Sequence, residues 1–258
     1  VNPYDVLGIT ATKAYVAQYA LPRLAVIDPT MQGEGAVRGL IDLSPLRSMM
    51  DMDTSGSPEP MGFVRAGRYA FVGLQNLNNS LPVTQGTVAV VDTTSDTLYD
   101  VDGATPGADA IRLTGQNPSA LVTTPGGGIV VAEVGSFMAL DGGIETVDPV
   151  MFRASGFRVT ESALGGNVGS VVMLTESRGW AVVTAMDFSQ ARVVEFDLMT
   201  GTVGGTVLTA REIGGLGRDP EGNVWVLDRS EGRAGARVFQ VTAAVGGTEL
   251  TTMPLSTG

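Results

Sequence analysis

Five times along this chain, a short run of strand-forming residues is followed by a second run that ends on a polar residue. The first runs are Ala14-Tyr15-Val16-Ala17, Ala70-Phe71-Val72-Gly73, Ile129-Val130-Val131-Ala132, Ala181-Val182-Val183-Thr184 and Val224-Trp225-Val226-Leu227. Their partners are Val26-Ile27-Asp28, Val90-Val91-Asp92, Thr146-Val147-Asp148, Glu195-Phe196-Asp197 and Phe239-Gln240-Val241-Thr242. A further apolar segment precedes each unit, such as Met61-Gly62-Phe63-Val64 or Val171-Val172-Met173-Leu174. A fourth, outer strand follows in most units, as in Arg38 to Leu43 and Ala110 to Leu113. The units recur every 43 to 59 residues, near the period of propeller blades.

Four strands per unit at this period predict an all-β fold, a β-propeller of four-stranded antiparallel blades. One such sheet cannot bury both of its faces, and stacking blades gives each face a neighbour. This explains why the inner runs are continuously apolar rather than alternating. Pro125-Gly126-Gly127-Gly128, Asp141-Gly142-Gly143 and Glu221-Gly222-Asn223 supply hairpin-type turns between them. The expected organisation is a single domain over 1–258, with blades at roughly 2–46, 57–114, 115–161, 162–208 and 209–258. Five units suit a five-bladed ring, or five blades of a six- or seven-bladed ring whose N-terminal part lies outside this sequence. The start at Val1, without Met or signal peptide, leads to the expectation of a mature or truncated piece. Ser44 to Pro60 is the one stretch that reads as a short helix or insertion.

Composition narrows the chemistry. The chain has 258 residues and a net charge of −11, which argues against nucleic acid as a partner. It contains neither His nor Cys, so thiol nucleophiles, disulfides, Ser-His-Asp triads, haem attachment and the usual zinc sites are excluded. A metal would have to be held by oxygen, which favours calcium or magnesium. No apolar run approaches the roughly 18 residues of a membrane-spanning helix.

Tyr15-Val16 and Val26-Ile27-Asp28-Pro29, preceded by Asn2-Pro3-Tyr4-Asp5-Val6, resemble the YVTN-type propeller repeat, with Gln18 where that family carries Asn. Gly217 to Val226 is also similar to blades of the NHL and gluconolactonase-like propellers. The first resemblance implies a propeller on the outside of bacterial or archaeal cells, with no shared enzymatic activity. It thus implies an extracellular, cell-surface or periplasmic location and a protein or surface-assembly partner.

Two constellations carry candidate chemistry. Asp51-Met52-Asp53-Thr54-Ser55-Gly56-Ser57-Pro58-Glu59 has the acidic spacing that can wrap a calcium ion. Asp51, Asp53 and Ser55 would present oxygens, Ser57 its carbonyl, and Glu59 would close the loop. The competing reading is an acidic surface turn. Aligning the blades also brings the starts of the innermost strands to the mouth of a central channel. This gathers Asn2, Glu59, Asn117 and Asn167, with Asp5 one turn inside, so Glu59 belongs to both sets. Inner-strand ends add Gln18, Glu133 and Asp228 as ligand-binding candidates. The competing reading is that Asn-Pro merely turns the chain into the strand. Trp180 and Trp225 read as core, and Asp28, Asp92, Asp148 and Asp197 as caps that end strands.

The leading expectation is a non-catalytic binding or scaffold propeller, calcium-stabilised, with no catalytic residue assigned. The alternative is a metal-dependent, lactonase-like hydrolase. There, the gluconolactonase resemblance implies a divalent ion held by Glu59, Asn117 and Asn167 that polarises a carbonyl and activates water.

Overall fold

The computed structural model describes residues 2–50, 56–79, 81–82, 84–230, 235–241 and 247–249. They form five successive antiparallel sheets. The first holds β1 (Pro3–Thr10), β2 (Lys13–Gln18), β3 (Arg23–Ile27) and β4 (Val37–Asp42) in sequence order. The second holds β5 (Pro60–Ala66), β6 (Tyr69–Leu74), β9 (Thr87–Asp92), β10 (Thr97–Tyr99) and β11 (Ile111–Arg112). A two-strand insertion, β7 (Leu77–Asn78) and β8 (Leu81–Pro82), precedes β9. The third comprises β12 (Pro118–Thr123), β13 (Ile129–Glu133), β14 (Gly143–Asp148), β15 (Arg153–Ala154) and β16 (Val159–Thr160). The fourth has β17 (Asn167–Met173), β18 (Arg178–Thr184), β19 (Ala191–Asp197) and β20 (Thr202–Ala210). The fifth has β21 (Ile213–Arg218), β22 (Val224–Asp228), β23 (Gly235–Val241) and β24 (Gly247–Glu249).

The expected all-β class and four-stranded antiparallel blades are therefore present. Outer strands of the second and third sheets are split, because both β10 and β11 pair with β9, and both β15 and β16 pair with β14. Ser44–Leu46 is a single 3₁₀ turn opened by Pro45, the only helical part of the expected insertion among the described residues. No described helix is long and apolar enough to cross a membrane.

The core lies between the sheets. Tyr15, Leu24 and Phe63 join the first sheet to the second, and Phe71, Ile111 and Val131 join the second to the third. Val130, Ile144 and Phe196 link the third to the fourth, and Trp180, Val226 and Phe239 link the fourth to the fifth. Alternate residues of one strand thus serve two different interfaces: Val131 faces one neighbouring sheet and Val130 the other. Trp180 is fully buried, edge-on to Phe239 at 6.2 Å between ring centres. Trp225 departs from the core expectation. It is 38% exposed, with Nε1 donating to Asp219 Oδ2 at 3.0 Å, because its side of β22 meets no further sheet among the described residues. The four Asp residues cap as expected: Asp28, Asp92, Asp148 and Asp197 accept from the backbone N–H two residues ahead.

The first strands of successive sheets lie side by side, β1 against β5, β5 against β12, β12 against β17 and β17 against β21. Each breaks register near its start, as between Pro60 and Gly62 or Pro118 and Ala120. These irregular starts gather at one end of the strand array, where the candidate site lies.

Candidate functional site

A repeated backbone bond frames this end. Tyr19, Gln75, Val134 and Arg229 each follow a second strand and donate N–H to the carbonyl of Asn2, Glu59, Asn117 and Glu212, at 2.9 to 3.3 Å. Glu59 and Asn117 sit in the left-handed region at φ 49° and 53°, a conformation that Asn tolerates and Glu adopts only under tertiary constraint. Asn2, Glu59, Asn117 and Asn167 thus all stand at innermost-strand starts. Glu212 holds the same place in the fifth sheet. Aligning the fifth unit with the first four would have found it.

Around the first three sheets the side chains at the strand starts bond to one another, although the buried Glu133 Oε1 has no hydrogen-bond partner. Tyr4 stacks on Tyr19 at 5.3 Å, and the Tyr19 hydroxyl donates to Gln75 Oε1 at 2.7 Å. Gln75 Nε2 donates in turn to Asn117 Oδ1 at 2.8 Å and to the Pro118 carbonyl at 2.9 Å. Burial, with the Glu59 charge and Tyr4 nearby, pushes the Tyr19 phenol up to about 12. Glu59 Oε2 accepts from the Leu77 backbone at 2.9 Å. Ser57 is buried, donating to the Tyr19 carbonyl at 2.8 Å and accepting from the Glu59 N–H.

Other candidates serve structure. Asp5 accepts from the Phe63 backbone at 2.9 Å and so ties β1 to β5. Ser119 ties β12 to β17 by donating to the Val168 and Gly169 carbonyls, and Ser170 ties β17 to β21 by accepting from the Leu216 N–H. Gln18 accepts from Arg23 at 2.8 Å. Asp228 is buried with Arg237 at 3.3 Å. Glu133 is fully buried beside Glu145, its Oε2 accepting from the Gly115 N–H at 2.9 Å. Burial first, then the hydrogen bond and charge of Glu145, push it up to about 10, so it holds a proton at neutral pH. Gly115 permits this approach, since a Cβ there would meet Glu133 Oε2 at 3.0 Å and Phe157 at 2.6 Å. Glu161, also buried, is raised to about 7 by burial, against the Val168 and Gly142 N–H groups that favour its ionised form.

Between the third, fourth and fifth sheets the same end opens into a cavity of about 440 Å³. Asn167, Thr184, Arg211 and Glu212 line it, with Phe137 and Phe188. Asn167 is 3% exposed; its Nδ2 donates to the Phe137 carbonyl at 3.3 Å, while its Oδ1 has no hydrogen-bond partner. Since Nδ2 must be the donor to that carbonyl, the amide orientation is set by the network. Glu212 lies 3.8 Å from Arg229, with its side chain 61% exposed.

The ring does not fit a ready-made divalent centre. Asn167 offers an unengaged oxygen, but Glu59 Oε2 and Asn117 Oδ1 accept protein hydrogen bonds, and Asp228 is held by Arg237. Among the described residues, no three Asp or Glu side chains gather as a metal would need. Asp51, Asp53 and Ser55 of the calcium-loop expectation lie outside the described residues.

No family model matches the sequence, and no curated protein matches it. Solved structures do match. The Kuenenia stuttgartiensis hydrazine synthase shares 15% identity at a TM-score of 0.62, over 97% of this chain and 66% of that one. The PQQ-bound aldose sugar dehydrogenase of Streptomyces coelicolor shares 12% at 0.56, over 96% and 81%. Virginiamycin B lyase from Staphylococcus aureus shares 9% at 0.55, over 96% and 69%. At such identities the likeness concerns the fold, and propellers are what it is similar to. These three are enzymes, a finding that overturns the expectation of a non-catalytic scaffold.

Proposed function

We propose that this chain is an enzymatic propeller that opens a lactone or ester of a small molecule held in the cavity between the third, fourth and fifth sheets. The carrying observation is that one carboxylate, one guanidinium and one buried unpaired amide oxygen line the same cavity: Glu212, Arg211 and Asn167. Glu212 takes a proton from water as the water oxygen attacks the carbonyl carbon. Arg211 stabilises the oxyanion that forms, and the ring C–O bond breaks as Glu212 returns the proton to the leaving oxygen. Asn167 Oδ1 accepts a hydrogen bond from the substrate and orients it. This keeps the hydrolase alternative but routes no step through a metal, because the donors do not fit one.

Acid release from a panel of γ- and δ-lactones, with and without chelator, tests the reading. Turnover that survives chelation and is lost in Glu212→Gln supports it. Turnover unchanged in Glu212→Gln overturns it, as does a panel with no substrate. The Tyr15-Val16 and Val26-Ile27-Asp28-Pro29 phrase further supports membership of the YVTN-type repeats and a location outside the cytoplasm. Fractionation of the native cells tests that, and recovery with cytosolic proteins is the opposing result.

A further inference from the structure

The loops that roof the cavity are unusually apolar for an exposed rim. Phe137 and Met138 follow β13, and Met186 and Phe188 follow β18. Their exposures are 47%, 81%, 41% and 56%, and Phe137 meets Phe188 at 6.3 Å between ring centres. Phe188 is held at φ 55°, an uncommon conformation for an aromatic residue, which points to a loop whose shape is set by more than local preference. An apolar rim over a concave site favours a ligand with an apolar body. At the wall below, the Asn167 Oδ1 lacks a donor, a standing cost that a ligand N–H or O–H would relieve.

From this geometry we infer that the cavity selects an amphipathic aromatic molecule: a ring seated against Phe137 and Phe188, which line it, with a hydrogen-bond donor directed to Asn167. Simple sugars and their small polar lactones lack the ring and bind weakly. The inference rests on placing the substrate in this cavity and adds to that reading the class of molecule selected.

The probe is phenylnaphthylamine, a fluorescent aryl amine with one N–H donor, titrated into the intact protein. Saturable binding is expected, weakened by about tenfold in Asn167→Leu and more in Phe137→Ser/Phe188→Ser. Leu40→Ser, at an exposed apolar residue of the first sheet, serves as the control and leaves binding unchanged. Millimolar glucose does not displace the probe. Absence of saturable binding, equal binding in all variants, or displacement by glucose overturns the inference. Probe binding without lactone turnover leaves the ligand class standing and fails the chemistry, and the reverse outcome fails the ligand class alone.

Discussion

The two halves of the strand-start mouth are built on one backbone plan and end in opposite states. Around the first three sheets, Tyr19, Gln75, Asn117, Ser57 and Glu59 bond to one another and to the backbone, and the polar groups are spent internally. Across the last three, Asn167 and Glu212 occupy the matching strand starts, yet one lines a cavity while its Oδ1 is buried and unpaired, and the other lines it exposed. The contrast shows that a strand-start position only delivers a side chain to the mouth. Whether it stabilises or binds depends on a loop partner: Gln75 fills that role between the second and third sheets, whereas the apolar Val134 holds its place after β13, and Phe137 and Phe188 stand further along the later loops.

Substitution should separate the halves. Gln75→Leu strands the Tyr19 hydroxyl and Asn117 Oδ1, and is expected to cost on the order of 3 kcal/mol in denaturant unfolding, with probe binding in the cavity intact. Equal stability of the variant would show that the closed half is not held by this network. In the open half, Asn167→Leu removes an unpaired oxygen together with the long Nδ2 bond to the Phe137 carbonyl, so its melting temperature is expected to stay within a few degrees of wild type while ligand binding falls.

Buried acid gives the next effect. The Glu133 carboxyl is raised to about 10 in the folded protein, above its unfolded value. Its contribution is therefore fully present below about pH 4.5 and is lost as pH rises toward the folded value, at about 1.4 kcal/mol per unit in between. Glu133→Gln should gain stability on wild type steadily from pH 5 to pH 8. A constant difference across that range would show that Glu133 is not protonated in the fold. The smallest effect concerns calcium. If Asp51, Asp53 and Ser55 bind it, calcium should raise the melting point by a few degrees over chelator, and Asp51→Ala should abolish the shift. Identical melting in both conditions removes that site.

The blade repeat was legible because it rests on period and apolarity. Continuous runs such as Ile129-Val130-Val131-Ala132 need two apolar neighbours, and stacked sheets provide them. The capping Asp series was legible for a similar reason, since each cap is satisfied within its own turn. The placement of Asn2, Glu59, Asn117 and Asn167 at strand starts was also readable. Their roles were not. Asp5 looked like a channel ligand and is a cross-sheet tie, because its acceptor duty goes to Phe63, 58 residues away. Trp225 looked like core and is half-exposed, because burial on one face of a sheet depends on what lies beside it. Glu212 is hard to find in the sequence because the fifth unit carries Arg-Glu-Ile where the first three carry Asn-Pro or Glu-Pro and the fourth Asn-Val.

What this sequence determined by itself is the repeating unit: strand, turn and cap are local, and their periodic apolarity forces sheet upon sheet. Tertiary structure alone decided which polar side chains are spent and which are available. Hydrogen bonds such as those of Gln75 with Asn117, and the lack of one at Asn167 Oδ1, join or separate residues that sequence distance does not relate.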